Sequence, residues 1–313
     1  MNSEITAEEV SIAYKLFLNR EPESAQAIES HLNARSLEEL GQKMIQCEEF
    51  RAKNGSCESL LQSPWIAVEV MEDFVQWIDV RDKYVSRGCM QSNWEPNETA
   101  YFKSSVEAGN VVLDIGANIG WFTLLGAKLS GSKGKVYSFE PRPETAKMLR
   151  RTIDHNNLQD QVQVFETALS DRWGEMKLAV VPNAENPGGS FLITDNNSSD
   201  YMPYVSIKTA PLDEMIKGVK ADFIKIDVEG AEPMVFAGAR KTIQSSRPII
   251  LSELHPQQLK KVSNFSPREY IELLGAYGYS CFLLEEGKPT DQLSDYPSKS
   301  MGDDLVSVVF EKR

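Results

Sequence analysis

From Val111 onward, short runs of β-branched and aromatic residues alternate with segments whose apolar residues recur every three or four positions. Strands and helices therefore take turns along the chain. The strand runs are VVLDI, KVYSFE, VQVFETAL, FIKIDV, PIILSEL, YSCFLLE and LVSVVFEK, and PETAKMLRRTIDHN and AEPMVFAGARKTIQ stand between them as helices. Near-continuous apolar strands separated by helices predict an α/β fold, a mostly parallel sheet covered on both faces. Residues 5–52 read differently. Ile12, Leu16 and Phe17, then Leu37, Leu40, Met44 and Ile45, keep a helical period on either side of NREPES, which predicts a small helical module. The turn-rich KNGSCESLLQSP makes a linker. The expected division is a helical module over 1–57, a connecting and cofactor-covering region over 58–110, and the α/β domain over 111–313. Two extra strand-like runs, KLAVV and YVSIKTA, flank the polar loop VPNAENPGGSFLITDNNSSDYMP. That loop exceeds an ordinary connection, and loops of this kind tend to carry function.

Composition narrows the class. With 41% hydrophobic and 25% charged residues in 313, the chain is ordinary globular material. Its 33 basic and 46 acidic residues leave a net charge of −13, and no basic stripe is present to neutralise a phosphate backbone, so nucleic acid is not an expected partner. Cys47, Cys57, Cys89 and Cys281 form no CxxC pair and no zinc spacing, which predicts free thiols in a reduced compartment. The start, MNSEITAEEV, is acidic where a signal peptide is basic, and no apolar run reaches the roughly 18 residues that span a bilayer. A cytoplasmic protein is expected.

The stretch VVLDIGANIGWFT carries the chemistry. A dinucleotide turn has the form GxGxxG, its second glycine letting backbone approach a pyrophosphate. Here the series is Asp114, Gly116, Ala117, Asn118, Gly120, with a side chain where bare backbone is wanted. An ionised Asp114 repels a diphosphate but accepts hydrogen bonds from the ammonium of an amino-acid moiety. S-adenosylmethionine carries that ammonium and no phosphate. Glu140 follows 26 residues after Asp114, closing KVYSFE, where a carboxylate can accept both ribose hydroxyls of either cofactor class. Turn, missing glycine and spaced acid together favour the methyl donor.

In this order, VVLDIGANIGWFT, SFEP, TALSD, NPGGSF, IKIDVEGAEPMVFAGA and SELHP give residues from about Trp94 to Phe310 a resemblance to the FkbM family of S-adenosylmethionine-dependent methyltransferases. The resemblance implies a Rossmann-like methyltransferase sheet, mostly parallel, with one antiparallel strand near the C-terminus that LVSVVFEK supplies, beside the small N-terminal helical domain. It implies that Gly116, Asn118 and Gly120 line the methionine part, that Glu140 holds the ribose, and that Thr167, Ala168 and Leu169 lie near the adenine. It also puts Gly188, Gly189 and Ser190 at the edge of the cofactor and acceptor pocket. The N-terminal AYKLFLNREPES…SLEELGQKMIQCEEF resembles a helical domain of unknown function found in bacteria beside enzymes of surface-glycan synthesis. That module is read as a helical cap or a mediator of protein contacts.

Ligands of open α/β sheets bind beyond the carboxyl ends of the strands, and three strands end in acids: Asp114, then Asp227 with Glu229, then Glu253 with His255. Methyl transfer is an in-line displacement that needs alignment and removal of the acceptor's proton. With an ordinary pKa of roughly 6.5, His255 is the expected general base, oriented by Glu253 or Asp227; the other reading is that His-Pro merely turns the chain. Glu229 and Glu232 open the helix AEPMVFAGA, where acids also favour the positive end of the dipole. Asp227 is read either as holding the donor's amino group or as flooring the acceptor site. Asp227, Glu253 and His255 also match ligands of Mg²⁺, a divalent-metal alternative to the metal-free base. Trp94 and Tyr101 in SNWEPNETAYF are read either as an aromatic platform for a substrate ring or as packing onto the sheet.

These readings predict an S-adenosylmethionine-dependent O-methyltransferase acting on a sugar hydroxyl of a bacterial surface glycan or glycosylated natural product. The alternatives are a polyketide or acyl-chain hydroxyl as acceptor, an NAD-dependent oxidoreductase, and a non-catalytic scaffold.

Overall fold

The computed structural model describes residues 5–18, 20–50, 64–180, 189–194, 203–293 and 305–313. Cys57, Gly188 and most of the linker and of the long polar loop lie outside them. The chain forms two compact units, Met1–Arg81 and Asp82–Arg313.

The first unit contains the helices Ala7–Leu18, Ala25–Glu29 and Leu37–Gln46. Ser24 and Ser36 begin the second and third, their side chains accepting from the N–H groups of Ala27 and Glu39, which otherwise lack helical partners. The buried stripe of the first helix is Val10, Ala13, Tyr14 and Phe17, with Ile12 and Leu16 at its margin. Leu37 is exposed, while Leu40 and Met44 are buried. The unit also holds a hairpin of β1 (Trp65–Val70) and β2 (Phe74–Asp79). Its turn sets Met71 and Glu72 at φ 53° and 69°.

The second unit is the expected α/β fold. Its main sheet contains β3 (Val111–Ile115), β4 (Lys135–Phe139), β5 (Val162–Phe165), β10 (Phe223–Ile226), β11 (Ile249–Leu254), β12 (Tyr279–Glu285), β13 (Lys288–Leu293) and β14 (Val306–Lys312). The spatial order is β13-β12-β14-β11-β10-β3-β4-β5. Neighbours from β5 to β11 are parallel, and β14 runs antiparallel between β11 and β12. The polar β13 adds a second antiparallel strand, on β12; without apolar alternation it gave no strand signal. In β10 all four residues are buried, as a central strand covered on both faces requires.

VQVFETAL does not form one strand. Its first half is β5; its second half, β6 (Ala168–Leu169), leaves the main sheet and pairs with β9 (Tyr204–Ala210). With β7 (Gly174–Ala179) and β8 (Leu192–Ile193) these make a four-stranded sheet ordered β6-β9-β7-β8. KLAVV and YVSIKTA thus supply β7 and β9, an antiparallel pair.

The strand order reverses between β3 and β10, the place where such sheets open a crevice at their carboxyl ends. There Gly116 has φ +82°, and a Cβ on it would be driven into the carbonyl oxygen of Asp227. Replacing Gly116 with Ala is expected to cost about 3 kcal/mol through the combined left-handed backbone and steric clash. Gly218 also has positive φ, but a Cβ there meets nothing within 4 Å, so Gly218→Ala is expected to cost only about 1 kcal/mol. Chemical denaturation of both variants reads the difference, and equal losses would show that the close approach is unimportant.

Candidate active site

Two adjoining cavities open at the carboxyl ends of β3, β4, β10 and β11 and share Gly116, Asn118, Asp227 and Glu229. Between β3 and the helix Trp121–Ser130 the chain turns through Gly116, Asn118 and Gly120 at φ +82°, +50° and +96°. Asparagine tolerates this left-handed region better than most side-chain-bearing residues. The turn spends its amides inside the protein. Gly116 and Ala117 both donate to the Phe139 carbonyl at 3.0 Å, Asn118 donates to Glu140 Oε2 at 2.9 Å, and Gly120 donates to the Ala117 carbonyl at 2.9 Å. A pyrophosphate needs such N–H groups pointing outward.

Glu140, just past β4, accepts from Asn118 N through one oxygen and from Arg142 N (2.8 Å) through the other. Each oxygen keeps a free lone-pair direction, which fits a diol. Burial pushes its pKa up to about 7 against those two hydrogen bonds. Opposite lie Thr167, Ala168 and Leu169 with Leu178, Ser190 and Leu192, residues of the small sheet and its borders. Phe139, stacked on Phe165 at 5.0 Å, also lines this cavity. The departure of β6 from the main sheet is what brings this wall over the end of β4.

The second cavity is the larger of the two and is acidic. Asp114 accepts from Thr123 Oγ1 at 2.5 Å, and Thr123 Oγ1 lies 2.8 Å from Ser138 Oγ. Burial raises the Asp114 pKa to about 6. Carboxyl oxygens of Glu95, Asp227 and Glu253 lie within 4.8 Å of one another. Burial lifts Glu95 to about 7 despite the neighbouring Lys225, and lifts Glu253 well above the usual carboxylate range, with Asp227 adding to the effect. Glu229 is held in the left-handed region at φ 52°. Burial first, then the charges of Asp227 and Glu232, push its pKa up to about 8. Glu232 instead accepts from the N–H groups of Val228 (3.2 Å) and Gly230 (3.4 Å), tying the turn that presents Glu229.

One cation stands among the described lining residues of this cavity: Lys225 of β10, 3% exposed, with Nζ 3.2 Å from Glu95 Oε2 and 5.1 Å from the centre of the Phe122 ring. Burial alone would lower its pKa, but Glu95, Asp227, Glu253 and Glu98 together raise it, so it stays charged. Motif spacing alone does not mark Lys225 or Glu95. A lysine inside an otherwise apolar central strand was the available signal, because such a charge is rarely buried unpaired.

The remaining expected residues separate. Ala117, Trp94 and Gly189 line the second cavity, and Ser190 lines the first. Tyr101 lines neither: its hydroxyl donates to Glu311 at 3.0 Å and its ring sits 6.3 Å from Phe223, so it packs the helix Pro96–Ser105 onto the sheet. His255 caps the helix Pro256–Val262 and is also absent from the described walls of both cavities. Its buried Nδ1 has no hydrogen-bond partner. Burial lowers its pKa while Asp227 pulls it up, leaving the ring neutral near pH 7 within the field of Asp227. Of the proposed metal ligands, Asp227 and Glu253 converge, with Glu95 rather than His255 as the third oxygen donor. The Lys225 ammonium already contacts that third carboxylate. No helix among the described residues is long and apolar enough to cross a membrane.

Similarity to known proteins follows the same residues. The Methyltransferase FkbM domain matches positions 114–281, more than half of the chain. The hexuronic acid methyltransferase AglP of Haloferax volcanii is 30% identical over 188 residues, 59% of this chain and 70% of that protein. The 2-O-methyltransferase NoeI of Sinorhizobium fredii is 31% identical over 163 residues, 48% of this chain and 65% of that one. The crystal structure of methyltransferase FkbM from Methylobacillus flagellatus aligns with a TM-score of 0.41 at 19% identity, covering 69% of this chain and 48% of that one. With the Gly116 turn, Glu140 and the acidic strand ends all inside the matched span, the chain belongs to the FkbM methyltransferase family.

Proposed function

We propose that this methyltransferase moves a methyl group from S-adenosylmethionine to a hydroxyl of a sugar. The observation that carries the donor reading is the turn 116–120, whose amides are satisfied internally while Glu140 keeps an open lone-pair direction on each oxygen. With the amides of Gly116, Ala117, Asn118 and Gly120 so engaged, this favours a ribose diol without a pyrophosphate. The sugar acceptor is supported by similarity to a hexuronic acid methyltransferase and a 2-O-methyltransferase.

In this reading Glu140 holds the ribose, Thr167 and Ala168 flank the adenine, and Asp114 takes the ammonium of the methionine moiety. When bound, S-adenosylmethionine supplies an electrophilic methyl on a sulfonium. Asp227, Glu229 and Glu253 face the cavity where the acceptor enters. Trp94 and Gly189 border that cavity and Ser190 borders its neighbour. Asp227 and Glu253 would orient the hydroxyl, and neutral His255, outside the described cavity walls but within the field of Asp227, would be the final acceptor of its proton. Neutral imidazole is the form a base needs.

Isothermal titration is the direct check. Saturable binding of S-adenosylhomocysteine with no response to NAD is expected; the opposite pattern would overturn the donor assignment. His255→Ala is expected to lower turnover of labelled methyl onto an accepted glycan by about 10²-fold while S-adenosylhomocysteine affinity is kept. An unchanged rate removes His255 from the mechanism.

The carboxyls also set a pH dependence. Unfolded Asp and Glu titrate near 4, whereas Asp114, Glu95, Glu140 and Glu229 are raised to about 6, 7, 7 and 8. The folded protein therefore binds more protons across that window. This stability is fully present below the unfolded pKa and is lost as pH rises through the folded values. The melting temperature of the ligand-free protein is expected to fall between pH 5.5 and 8.5. Because a bound cation favours the ionised carboxyls, the stabilisation by saturating S-adenosylmethionine is expected to grow over the same range. Calorimetry at both pH values checks the two trends, and a melting temperature that rises with pH in the free protein contradicts the assignment.

A further inference from the structure

Lys225 and Asp114 are register partners on the adjacent parallel strands β10 and β3. Register partners project to the same face of a sheet, and both side chains are almost fully buried while lining the second cavity, Asp114 at 2% and Lys225 at 3% exposure. That cavity presents six carboxyl side chains, from Glu95, Glu98, Asp114, Asp227, Glu229 and Glu253, and Lys225 is the one cation among its described lining residues. The carboxyls suit the two positive groups of the donor. A fixed ammonium does not: beside a sulfonium it is repulsive unless an anion of the ligand meets it. The donor has one such anion, the carboxylate on the carbon that bears its ammonium. An ammonium can donate three hydrogen bonds; with Glu95 it forms an ion pair at 3.2 Å, and Glu95 Oε2 has no hydrogen-bond partner among the described residues.

We propose that Lys225 binds the carboxylate of the donor's amino-acid moiety while Asp114, its neighbour across the sheet, binds the ammonium, so that the pair reads both charges on one carbon. The inference rests on S-adenosylmethionine being the donor. It gives Lys225 a binding role beyond that of counter-ion to Glu95. It also accounts for a lysine in a strand position that is otherwise apolar.

The sign of one ligand comparison separates the two roles. S-adenosylhomocysteine and its decarboxylated analogue, 5′-deoxy-5′-(3-aminopropylthio)adenosine, differ by a single carboxylate. In a cavity of six carboxyl groups, losing the ligand's negative charge would by itself tighten binding. Isothermal titration of the wild-type protein is expected to show the reverse, with the decarboxylated analogue at least tenfold weaker. In Lys225→Met the discrimination is expected to vanish or reverse, S-adenosylhomocysteine then binding no more tightly than the analogue, as a double-mutant cycle requires of coupled groups. Glu95→Gln, which frees the ammonium, is expected to tighten S-adenosylhomocysteine and leave the analogue unchanged. If the wild type binds both ligands equally, or if Lys225→Met keeps the full discrimination, the proposal is wrong. Should Lys225→Met fail to fold, the wild-type and Glu95→Gln comparisons decide alone. Failure of the donor reading looks different: neither adenosyl thioether, nor 5′-methylthioadenosine, binds the wild type.

Discussion

The site depends on one close approach, that of the Gly116 backbone to the carbonyl of Asp227 where the strand order reverses. Two parallel strands that diverge in connectivity leave a crevice at their ends, but the crevice is useful only if nothing fills it. A glycine at positive φ lets the chain leave β3 flush against the end of β10, and Phe139 closes the turn from the other side by accepting two of its amides. Everything downstream inherits that geometry. Asn118 donates to Glu140, which lines the first cavity, and the acids just past β10 share the second with Asp114.

The second constraint is electrostatic. Six carboxyl groups around one cavity cannot all ionise cheaply in a poorly solvated space, and the raised pKa values of Glu95, Asp114, Glu229 and Glu253 express that cost. A pocket with this composition is unfavourable when empty and improves when a cation enters. Lys225 relieves part of the strain permanently, as a partner for Glu95 built into the central strand. Binding energy is therefore prepared in advance by crowding like charges, a use of the protein's own destabilisation that fits a cationic ligand and no anionic one.

Much of this was legible in the residues. Central strands such as VVLDI and FIKIDV are buried on both faces and read directly as apolar runs, and the acids at their ends were legible because strand ends are where such sheets bind. Elements with weak local signals were not. The β1–β2 hairpin turns through Met71 and Glu72 at positive φ, without the Asn-Gly or Asp-Gly that announces such a turn. β13 is a polar strand stabilised by its neighbour rather than by its own pattern. The break inside VQVFETAL follows from pairing with β9, more than thirty residues later, which no local window contains. Tyr101 and Trp94 belong to one segment with similar apolar character, and only tertiary packing sends the first into the core and the second to a cavity wall.

The helix Pro96–Ser105, which follows the cavity residues Trp94 and Glu95, is fastened to β14: Tyr101 donates to Glu311, and Ser307 donates to Glu98. Those partners are separated by about two hundred residues of chain. Loops of that size are entropically slow to close, so the acidic chamber gains this wall only after β14 has been synthesised and docked. On a ribosome, the first cavity, lined by residues 115–231, has its sequence complete well before the second, whose lining reaches Ser307.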